Sequence, residues 1–398
     1  MPGSLVRSMN PPATRALYIS GTALIHRSEG VGVYTRRLLE GLFRYAPELP
    51  WKLVVPEDLQ EAARSIAPDR IEVAPVWPRF RRSLLREIAG ARAVAAHVRR
   101  IAPEALLLCT YDFHSHARPR CVLQVLHDCL PERFPQDNGG GLLRRWHRRR
   151  CLAWARRADR VVTVSRWSAR DLTQIGRIAP ERIAVVPAWL DRRFEQRPDD
   201  AAIAAIRARL GLPARYLLYV GGFRRYKAVD RLLRAYALAR TRGDLPPLVL
   251  AGRIPGAPKL TRSLDVPATL STLSLDRDAV LCPGFIPDDD LPALYAGAAL
   301  FVFPSLHEGF GYAPAEAIAM GAPVLVSNRA SLPEVAPAAH CQFDPENTEA
   351  LAEMIRAAVA APERFRQPAN PDFAGAAGIA RFLATLSPLL AANHEPKP

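Results

Sequence analysis

The chain has 398 residues, more than one hydrophobic core usually supports, so two domains are expected. Its hydrophobic content of 49% and charged content of 23% are ordinary for a globular protein and exclude a wholly disordered chain. The net charge of +15 is carried almost entirely by arginine, because only Lys52, Lys227, Lys259 and Lys397 are lysines. Such a charge favours contact with phosphates, anionic lipid headgroups or nucleic acid.

Cysteine usage and hydropathy bear on the compartment. Six cysteines are scattered with no Cys-x-x-Cys pair and no histidines at zinc spacing, which predicts free thiols in a reducing compartment. Residues 1–13 lack the apolar stretch of a signal peptide, and no window approaches the ~18 apolar residues of a membrane span. We therefore predict a cytoplasmic protein with disordered ends at 1–13 and 392–398.

The first half of the chain alternates strand-like and helical patterns. An apolar strand at 16–20 leads into a loop with Gly30 and Gly32 and then into a helical pattern at 33–43. Further strand-like runs lie at 51–55, 105–108, 122–126 and 160–164. This alternation predicts a parallel sheet covered by helices, in a domain that spans 14–190.

A polar, charged stretch at 191–200 precedes a second alternating series. Its strands are predicted at 216–220, 248–251, 280–282, 300–303 and 324–327. They indicate a second α/β domain at 191–371, followed by a C-terminal helix at 372–391, with packing back against the first domain as one option. Ligands of open α/β sheets bind beyond the carboxyl ends of the strands, so chemistry is expected in the loops that follow them.

The segment 300–335, LFVFPSLHEGFGYAPAEAIAMGAPVLVSNRASLPEV, reads as strand, loop, helix and strand. Pro314 suits the first turn of the helix, where a missing N–H costs nothing. Gly309 and Gly311 allow the loop to expose backbone amides. Amides that converge at a helix N-terminus form an anion site, which predicts a diphosphate there.

Glu308 and Glu316 are eight residues apart, the first in the loop and the second in the first helical turn. One carboxylate can face a transferred sugar while the other accepts hydrogen bonds from ribose hydroxyls, because charged acceptors make stronger hydrogen bonds. The spacing alone is more typical of a surface helix with solvated glutamates. The glycines, the proline and the flanking strands favour the binding site.

At these residues the chain resembles a known enzyme family. EGFGYAPAEAIAMGAPV followed by SLPEV is similar to the signature of retaining family 4 glycosyltransferases of the GT-B fold, of the mannosyltransferase-like type that builds bacterial cell-surface polysaccharides. The similarity covers roughly 17–343 and includes LLYVGGFRRYKAVDRLLRAY, GFIPDDDLPALYAGA, GVGVYTRRLLEGL, LHDCLPERFP and TVSRWSARDL. It implies an α/β protein with two Rossmann-like domains that face each other across a cleft, a nucleotide-sugar donor, retention of anomeric configuration and no metal or other cofactor.

The resemblance also assigns roles in the second domain. It makes Lys227 the lysine of the donor diphosphate, with Gly221 and Gly222 as the glycine turn before it. Many relatives carry an arginine five residues before this lysine or directly before it, where this chain has a glycine and a tyrosine. A shifted register favours Arg225 over Arg224 as the second cation, with a solvated loop charge as the alternative.

In the first domain, His127 directly follows an apolar strand, and the resemblance implies that it touches the transferred sugar. From the His-Asp dipeptide alone, a histidine packed at a strand end is the simpler interpretation. The glycine loop of the first domain resembles the loop that closes over the donor. The expected catalytic residues are His127, Glu308 and Lys227. The expected donor-binding residues are Gly30, Gly32, Gly221, Gly222, Arg225, Lys227, Glu308, Gly309, Phe310, Gly311 and Glu316.

The resemblance implies transfer of a hexose, with GDP-mannose as the leading donor, to a saccharide or polyprenyl-linked saccharide in surface polysaccharide biosynthesis. Two arginine-rich segments, 79–100 and 142–157, mix apolar residues with clustered arginines. They are interpreted either as contacts with an anionic membrane surface, which makes the protein peripheral on the inner face of the cell membrane, or as solvated helix faces.

Three other interpretations remain open at this point. A sugar-nucleotide epimerase of the same fold would use the donor site without an acceptor, and a non-catalytic protein would bind the nucleotide sugar without turnover. A nucleic-acid-binding protein would explain the charge but not the two glutamates, and the chain has no recognised reading motif, so no nucleic-acid partner is expected. His114 and His116 have no carboxylate or cysteine at ligand spacing, so no metal site is predicted.

Overall fold

A computed structural model describes residues 15–25, 30–76, 83–137, 141–254 and 263–391. The strands are β1 (Leu17–Ser20), β2 (Trp51–Pro56), β3 (Ile71–Ala74), β4 (Leu106–Cys109), β5 (Cys121–Val125), β6 (Arg160–Thr163), β7 (Ile183–Val185), β8 (Leu217–Val220), β9 (Leu248–Ala251), β10 (Val280–Gly284), β11 (Leu300–Phe303), β12 (Val324–Ser327) and β13 (Gln342–Phe343). The α-helices are α1 (Gly30–Tyr45), α2 (Gln60–Arg64), α3 (Ser83–Ile101), α4 (Leu130–Arg133), α5 (Leu142–Ala155), α6 (Arg166–Gln174), α7 (Asp200–Leu210), α8 (Val229–Arg240), α9 (Val266–Thr272), α10 (Leu291–Ala296), α11 (Tyr312–Ala319), α12 (Leu332–Val335), α13 (Thr348–Ala360) and α14 (Gly375–Ala391). The predicted disordered ends, 1–13 and 392–398, lie outside the described residues.

The first seven strands form one parallel sheet, in the order β3-β2-β1-β4-β5-β6-β7. Strands β1, β4 and β5, with sequences LYIS, LLLC and CVLQV, are buried at every position. Continuous burial is what a parallel sheet requires when helices cover both of its faces. The strand order reverses between β1 and β4, and ligands of open α/β sheets bind at such a switch point.

The remaining strands form a second parallel sheet, in the order β10-β9-β8-β11-β12-β13. This order repeats that of the first six strands of the first sheet, so the second switch point lies between β8 and β11. Helix α13 packs beside α8 on one face of the sheet. The prediction of an α/β protein with two Rossmann-like domains is confirmed.

The two compact units are not simple halves of the chain. The described residues of the first unit fall within Met1–Cys129, Gly140–Trp189 and Gly375–Pro398, and those of the second within Leu130–Gly139 and Leu190–Ala374. The first domain was predicted as an unbroken 14–190, whereas Leu130–Gly139 falls in the second unit, because the described residues Leu130–Asp137 contact the loop after β8.

The C-terminal helix α14 packs against α1 in the first unit. A Cβ atom at Gly41 would stand 2.4 Å from Ile379 Cδ1, and one at Gly378 would stand 2.6 Å from Trp189 Cε3. A side chain at either position would therefore force Ile379 or Trp189 to move, which favours glycine at both. Among the described helices, none combines the length and the apolar character that a membrane crossing needs.

Candidate active site

Two loops meet at the switch point of the second sheet. The loop after β8 carries Lys227 and the loop after β11 carries Glu308, and both leave the same edge because β8 and β11 are neighbouring parallel strands. The Lys227 Nζ lies 2.6 Å from the Glu308 Oε1. The fold thus joins two predicted site residues that are 81 positions apart in the chain.

Lys227 is a largely buried positive charge. Its side chain is 16% exposed, and that of Glu308 is 15% exposed. Burial disfavours the ammonium, but the attraction of Glu308, helped by Tyr226, Tyr219 and the hydrogen bond to Glu308, outweighs burial and raises the pKa of Lys227 above its ordinary value. The Nζ also lies 5.3 Å from the centre of the Phe303 ring. Lys227 therefore stays charged at neutral pH and suits an anionic ligand.

Hydrogen bonds to main-chain carbonyls hold the loop of Glu308 and the loop of Lys227 in place. The Ser331 Oγ lies 2.9 Å from the carbonyl oxygen of Glu308 and 2.8 Å from that of Phe310, within donating distance of both. The Leu306 N–H donates to the Tyr226 carbonyl at 2.8 Å, which ties the loop after β11 to the loop that carries Lys227. The position of the ion pair is therefore set by the backbone as well as by the side chains.

Helix α11 begins directly after the Glu308 loop. Its N-cap residue, Gly311, has a φ of 107°, a left-handed conformation that favours glycine, and no side chain caps the helix. The first amides of an α-helix have no partner within the helix, so this N-terminus suits a phosphate oxygen.

Glu316 lies in the second turn of α11, which corrects the prediction that it lies in the first. The difference arises because the helix begins at Tyr312, two residues before Pro314. Glu316 is 7% exposed, and its Oε2 accepts a hydrogen bond from the Tyr295 hydroxyl at 3.2 Å. A buried carboxylate held in this way is oriented to accept further hydrogen bonds from a ligand.

Arg224 and Arg225 make different contacts. The Arg224 Nη1 donates to the carbonyl of Asp137 at 3.0 Å. Both arginines are exposed, and both line a cavity of about 530 Å³ together with Arg231 and Leu306. The choice of Arg225 rather than Arg224 as the second cation stays a prediction.

The residues Leu130–Asp137 pack against the loop that carries Lys227. Asp137 is 1% exposed, and its Oδ2 accepts a hydrogen bond from the Tyr226 N–H at 3.2 Å. The ring centre of Phe134 lies 5.9 Å from those of both Tyr226 and His307. The loop that carries Lys227 is thereby attached to a segment about 90 residues earlier in the chain.

The predicted glycines and the loop phenylalanine differ in what they offer a ligand. A Cβ atom at Gly222 would meet nothing within 4 Å, so the backbone there leaves space for close approach. A Cβ atom at Gly221 would stand 2.8 Å from the Tyr219 hydroxyl. The Phe310 ring packs inward, 4.9 Å from the Phe373 ring, so its side chain supports the loop from within.

His127 lies in the first unit, directly beyond β5. Its Nε2 lies 3.3 Å from the Thr110 carbonyl oxygen, and its ring stands edge-on to that of Tyr34 at 4.8 Å. Burial lowers the pKa of His127 against the opposing attraction of Asp128, so the imidazole is neutral at pH 7. With the carbonyl accepting from Nε2–H, the Nδ1 atom is the acceptor.

The glycine loop of the first unit is described only in part. Gly30 opens α1 and is exposed, and a Cβ atom there would meet nothing within 4 Å, whereas Gly32 is buried in the same turn. Residues 26–29, which precede them, lie outside the described residues. Over the described ranges, no group of three or more His, Cys, Asp or Glu side chains is arranged to hold a metal ion. All six cysteines are free thiols.

Three residues of the site were missed by the sequence analysis: Tyr295, Ser331 and Asp137. Tyr295 and Ser331 lie within quoted motifs, GFIPDDDLPALYAGA and SLPEV, but they act through hydrogen bonds that no spacing reveals. Asp137 carries no local signal, because its partner Tyr226 is 89 positions away.

Both halves of the chain match glycosyltransferase family models. Residues 28–194 match Glycosyltransferase Family 4, and residues 203–370 match Glycosyl transferases group 1. The gap between the two matches overlaps part of the polar stretch 191–200.

Several curated proteins share part of the sequence. The serotype-specific mannosyltransferase WbdA of Escherichia coli is 29% identical over 304 residues, which are 72% of this chain and 36% of WbdA. The O-antigen chain mannosyltransferase B of Escherichia coli is 30% identical over 199 residues, 50% of this chain and 51% of that protein. The D-inositol 3-phosphate glycosyltransferase of Salinispora arenicola is 36% identical over 178 residues, 43% of this chain and 40% of that protein. The matched region thus spans between about a third and a half of each relative.

Solved structures share the fold along almost the whole chain. Anabaena HepE in complex with UDP and glucose has a TM-score of 0.69 at 19% identity, covering 94% of this chain and 99% of HepE. WaaG, a glycosyltransferase involved in lipopolysaccharide biosynthesis, has a TM-score of 0.62 at 18% identity, covering 94% of this chain and 96% of WaaG. Identities this low establish the fold alone. With one family model on each half and this fold throughout, the chain belongs to the family 4 glycosyltransferases of the GT-B fold.

Proposed function

We propose that the protein is a retaining glycosyltransferase that moves a hexose from a nucleotide-diphosphate sugar to a saccharide or lipid-linked saccharide in surface polysaccharide biosynthesis. The observation that carries the proposal is the ion pair of Lys227 and Glu308, 2.6 Å apart, beside a helix N-terminus that no side chain caps. The cation and the helix amides suit a diphosphate, and the carboxylate suits sugar hydroxyls.

The proposed reaction breaks the bond between the anomeric carbon and the diphosphate oxygen and forms a bond from that carbon to the acceptor oxygen on the same face. The acceptor proton passes to the departing phosphate oxygen. Lys227, Arg225 and the amides of 309–311 stabilise the negative charge that develops on the leaving nucleoside diphosphate. Glu308 orients the sugar hydroxyls, because its Oε1 is already engaged by Lys227.

Two more residues receive roles in the proposal. Glu316, buried and oriented by Tyr295, accepts hydrogen bonds from the ribose hydroxyls. His127 binds the transferred sugar, because its Nε2–H is held by the Thr110 carbonyl and its Nδ1 atom can accept a hydrogen bond from a sugar hydroxyl.

GDP-mannose is the proposed donor. The names of two relatives, WbdA and the O-antigen chain mannosyltransferase B, support mannose as the sugar. Binding of UDP and glucose by the structural neighbour HepE supports a nucleotide-sugar donor in general and makes UDP-glucose the comparison to test.

The first experiment is thermal unfolding of the full chain with GDP-mannose, UDP-glucose, ADP-glucose and dTDP-glucose. A donor present at 100 times its Kd adds about 2.7 kcal/mol of stability, so one donor is expected to raise the Tm selectively. That donor is then incubated with protein and a lipid-linked saccharide acceptor. Transfer to the acceptor supports the proposal, whereas conversion of the donor to another nucleotide sugar without any acceptor contradicts it in favour of an epimerase.

The proposal assigns the stabilisation of the leaving group to side chains and amides rather than to a divalent cation. We therefore expect the initial rate of transfer to stay within about twofold after dialysis against excess EDTA. A loss of activity that Mg²⁺ or Mn²⁺ restores would contradict this assignment. Unchanged binding of the donor in EDTA is the control for folding.

We also propose that helix α5 rests on an anionic membrane surface. Its N-terminal half exposes Leu142, Leu143 and Trp146 by 85%, 45% and 46% among clustered arginines, which is the composition of an interfacial helix. The other arginine-rich segment, 79–100, is only partly described. Flotation with phosphatidylglycerol vesicles tests the proposal: binding is expected to fall in Leu142→Ser/Trp146→Ser, and equal binding of both proteins would contradict it.

A further inference from the structure

A second concentration of positive charge lies in the first unit, at the amino ends of three neighbouring strands. Arg118 and Arg120 precede β5, Arg156 and Arg157 precede β6, and Arg182 precedes β7. Because β5, β6 and β7 are adjacent and parallel, these residues come together at one edge of the sheet. They surround a cavity of about 530 Å³, here called the arginine pocket, which is lined by Arg118, Pro119, Arg120, Arg156, Arg157, Asp159 and Arg182.

The charges of the arginine pocket are far from balanced. Five arginines face one carboxylate, that of Asp159, a formal excess of four positive charges on the lining. The Asp159 Oδ2 accepts from the Arg118 Nη2 at 3.1 Å and from the Val122 N–H at 2.9 Å, so its charge is already engaged. Arg120 pairs with Glu104 at 2.8 Å, but both side chains are about half exposed, and such pairs contribute little in water.

Two of the arginines are fixed by neutral acceptors. The Arg156 Nε donates to the Gly176 carbonyl at 2.8 Å, and the Arg182 Nη1 donates to the carbonyls of Arg156 and Ala158 at 3.1 and 3.2 Å. These carbonyls lie just after the C-termini of α5 and α6, where the helix dipoles alone would repel an anion. The guanidinium groups satisfy the carbonyls and keep their full charge, because a carbonyl is neutral.

The hydrogen bonds described so far leave guanidinium N–H groups of the arginine pocket available for a ligand. A guanidinium has five N–H donors, and Arg156 and Arg182 each use a minority of theirs. Arg157 is exposed, and its side chain has no hydrogen-bond or ion-pair partner within the described part of the chain. Planar forks of this kind bind the oxygens of phosphate groups two at a time.

We propose that the arginine pocket binds a phosphate group, carried by a free phosphorylated molecule or by a lipid headgroup. The arginine pocket does not share residues with the proposed donor site: Arg120 precedes β5 (Cys121–Val125) whereas His127 follows it, and Lys227 and Glu308 belong to the second unit. Substrates of parallel α/β sheets bind at the carboxyl ends of the strands. A ligand at the amino ends is therefore expected to anchor the protein or to regulate its activity, rather than to react.

The test uses the full chain carrying Lys227→Ala, which removes the buried cation of the proposed donor site and so weakens phosphate binding there. Calorimetric titration with inorganic phosphate and with pyrophosphate is done at constant ionic strength, because nonspecific attraction falls with salt. Saturable binding is expected, and adding Arg120→Ala and Arg157→Ala is expected to weaken it about tenfold or more. The matched control is Arg170→Ala, an exposed arginine of α6 outside the pocket, which is expected to leave the affinity unchanged. Circular dichroism melting checks that all variants fold.

The source of the phosphate is distinguished with vesicles that contain phosphatidic acid. Loss of vesicle binding in the Arg120→Ala/Arg157→Ala variant identifies a lipid headgroup, and unchanged vesicle binding with lost phosphate binding identifies a free phosphorylated molecule. Absence of saturable binding of every probe overturns the proposal. It is also overturned if the pocket variant binds all of them as well as the Arg170→Ala control does.

Discussion

The pairing of Lys227 with Glu308 explains how a charged site can stay buried without its ligand. A buried ammonium or carboxylate left alone is strongly destabilising, whereas the two together largely compensate each other. The pair also keeps the positive charge of Lys227 at the place where a diphosphate is proposed to bind. In the proposed complex Lys227 keeps its contact with Glu308 and gains the diphosphate as a second anionic partner.

Removal of this lysine should affect both activity and stability. We expect Lys227→Ala to lower kcat/KM at least about a hundredfold, because it removes a preorganised charge from the leaving group. It should also lower the Tm, because Glu308 is left buried without its partner. The matched control is Lys52→Ala, a lysine 55% exposed that pairs with Glu72 in the first unit. A kcat/KM within about threefold of the wild type, measured with the preferred donor, would remove Lys227 from the site.

Glu316 tests the recognition of the nucleoside. In Glu316→Gln the side chain keeps its size and can still accept from Tyr295, but it loses the charge that strengthens hydrogen bonds to hydroxyls. We expect the donor KM to rise about tenfold with a smaller change in kcat. The control is Glu363→Gln, whose side chain is 77% exposed. If Glu316→Gln leaves donor affinity as the control does, the ribose assignment is wrong.

At the scale of elements, the fully buried strands were predicted well and the partly buried ones were not. Strands β9, β11 and β12 match their predictions residue for residue, because each is a continuous apolar run between turn residues. Strand β3 was missed because three of its four residues are only partly buried. Strand β7 has three residues and β13 has two, too few for any periodicity.

The residues of the site were likewise predicted only where a local sequence pattern marks them. Lys227, Glu308 and Glu316 stand in local motifs with glycines and proline at fixed offsets, so the sequence indicated them before the sheet order joined their loops. The assignment of Leu130–Gly139 to the second unit was not predicted, because it depends on contacts between residues nearly 90 positions apart. No local pattern records contacts of that kind.

Asp137 has a testable role in positioning the loop that carries Lys227. We expect Asp137→Ala to raise the donor KM several-fold, because the Tyr226 N–H next to Lys227 loses its acceptor. Asp137→Asn keeps an acceptor oxygen and should recover most of the affinity. A purely structural role would lower the Tm of both variants without this difference in donor KM. Equal donor KM values in Asp137→Ala and the wild type would exclude positioning through this bond.

At the scale of the whole molecule, the two units differ in how their histidines are buried. Among the described histidines, burial lowers the pKa of His114, His127 and His147, and all three belong to the first unit. For His114, burial and then repulsion from His147 and nearby arginines lower the pKa to about 4. Its Nε2 atom is buried without a hydrogen-bond partner among the described residues, so nothing inside the fold favours the charged form at that atom.

These histidines should make the first unit sensitive to acid. Between the unfolded pKa of about 6.5 and the lower folded pKa, the unfolded chain binds protons that the folded chain does not, so the free energy of unfolding falls as the pH falls. For His114 alone the loss from pH 7.5 to 5.0 is on the order of 2 kcal/mol. Carboxylates change little in this interval, which isolates the histidines.

Urea unfolding at pH 7.5 and 5.0 measures this dependence, with His114→Phe as the variant. Phenylalanine keeps a planar ring against Trp146 and His147 and removes both the titration and the unpartnered nitrogen. It should therefore be no less stable than the wild type at pH 7.5 and should lose about 2 kcal/mol less on acidification. The exposed His116, changed to Asn, is the control and should retain the wild-type dependence. If the free energy of unfolding of His114→Phe falls between pH 7.5 and 5.0 by as much as that of the control, the acid sensitivity of the first unit arises from residues other than His114.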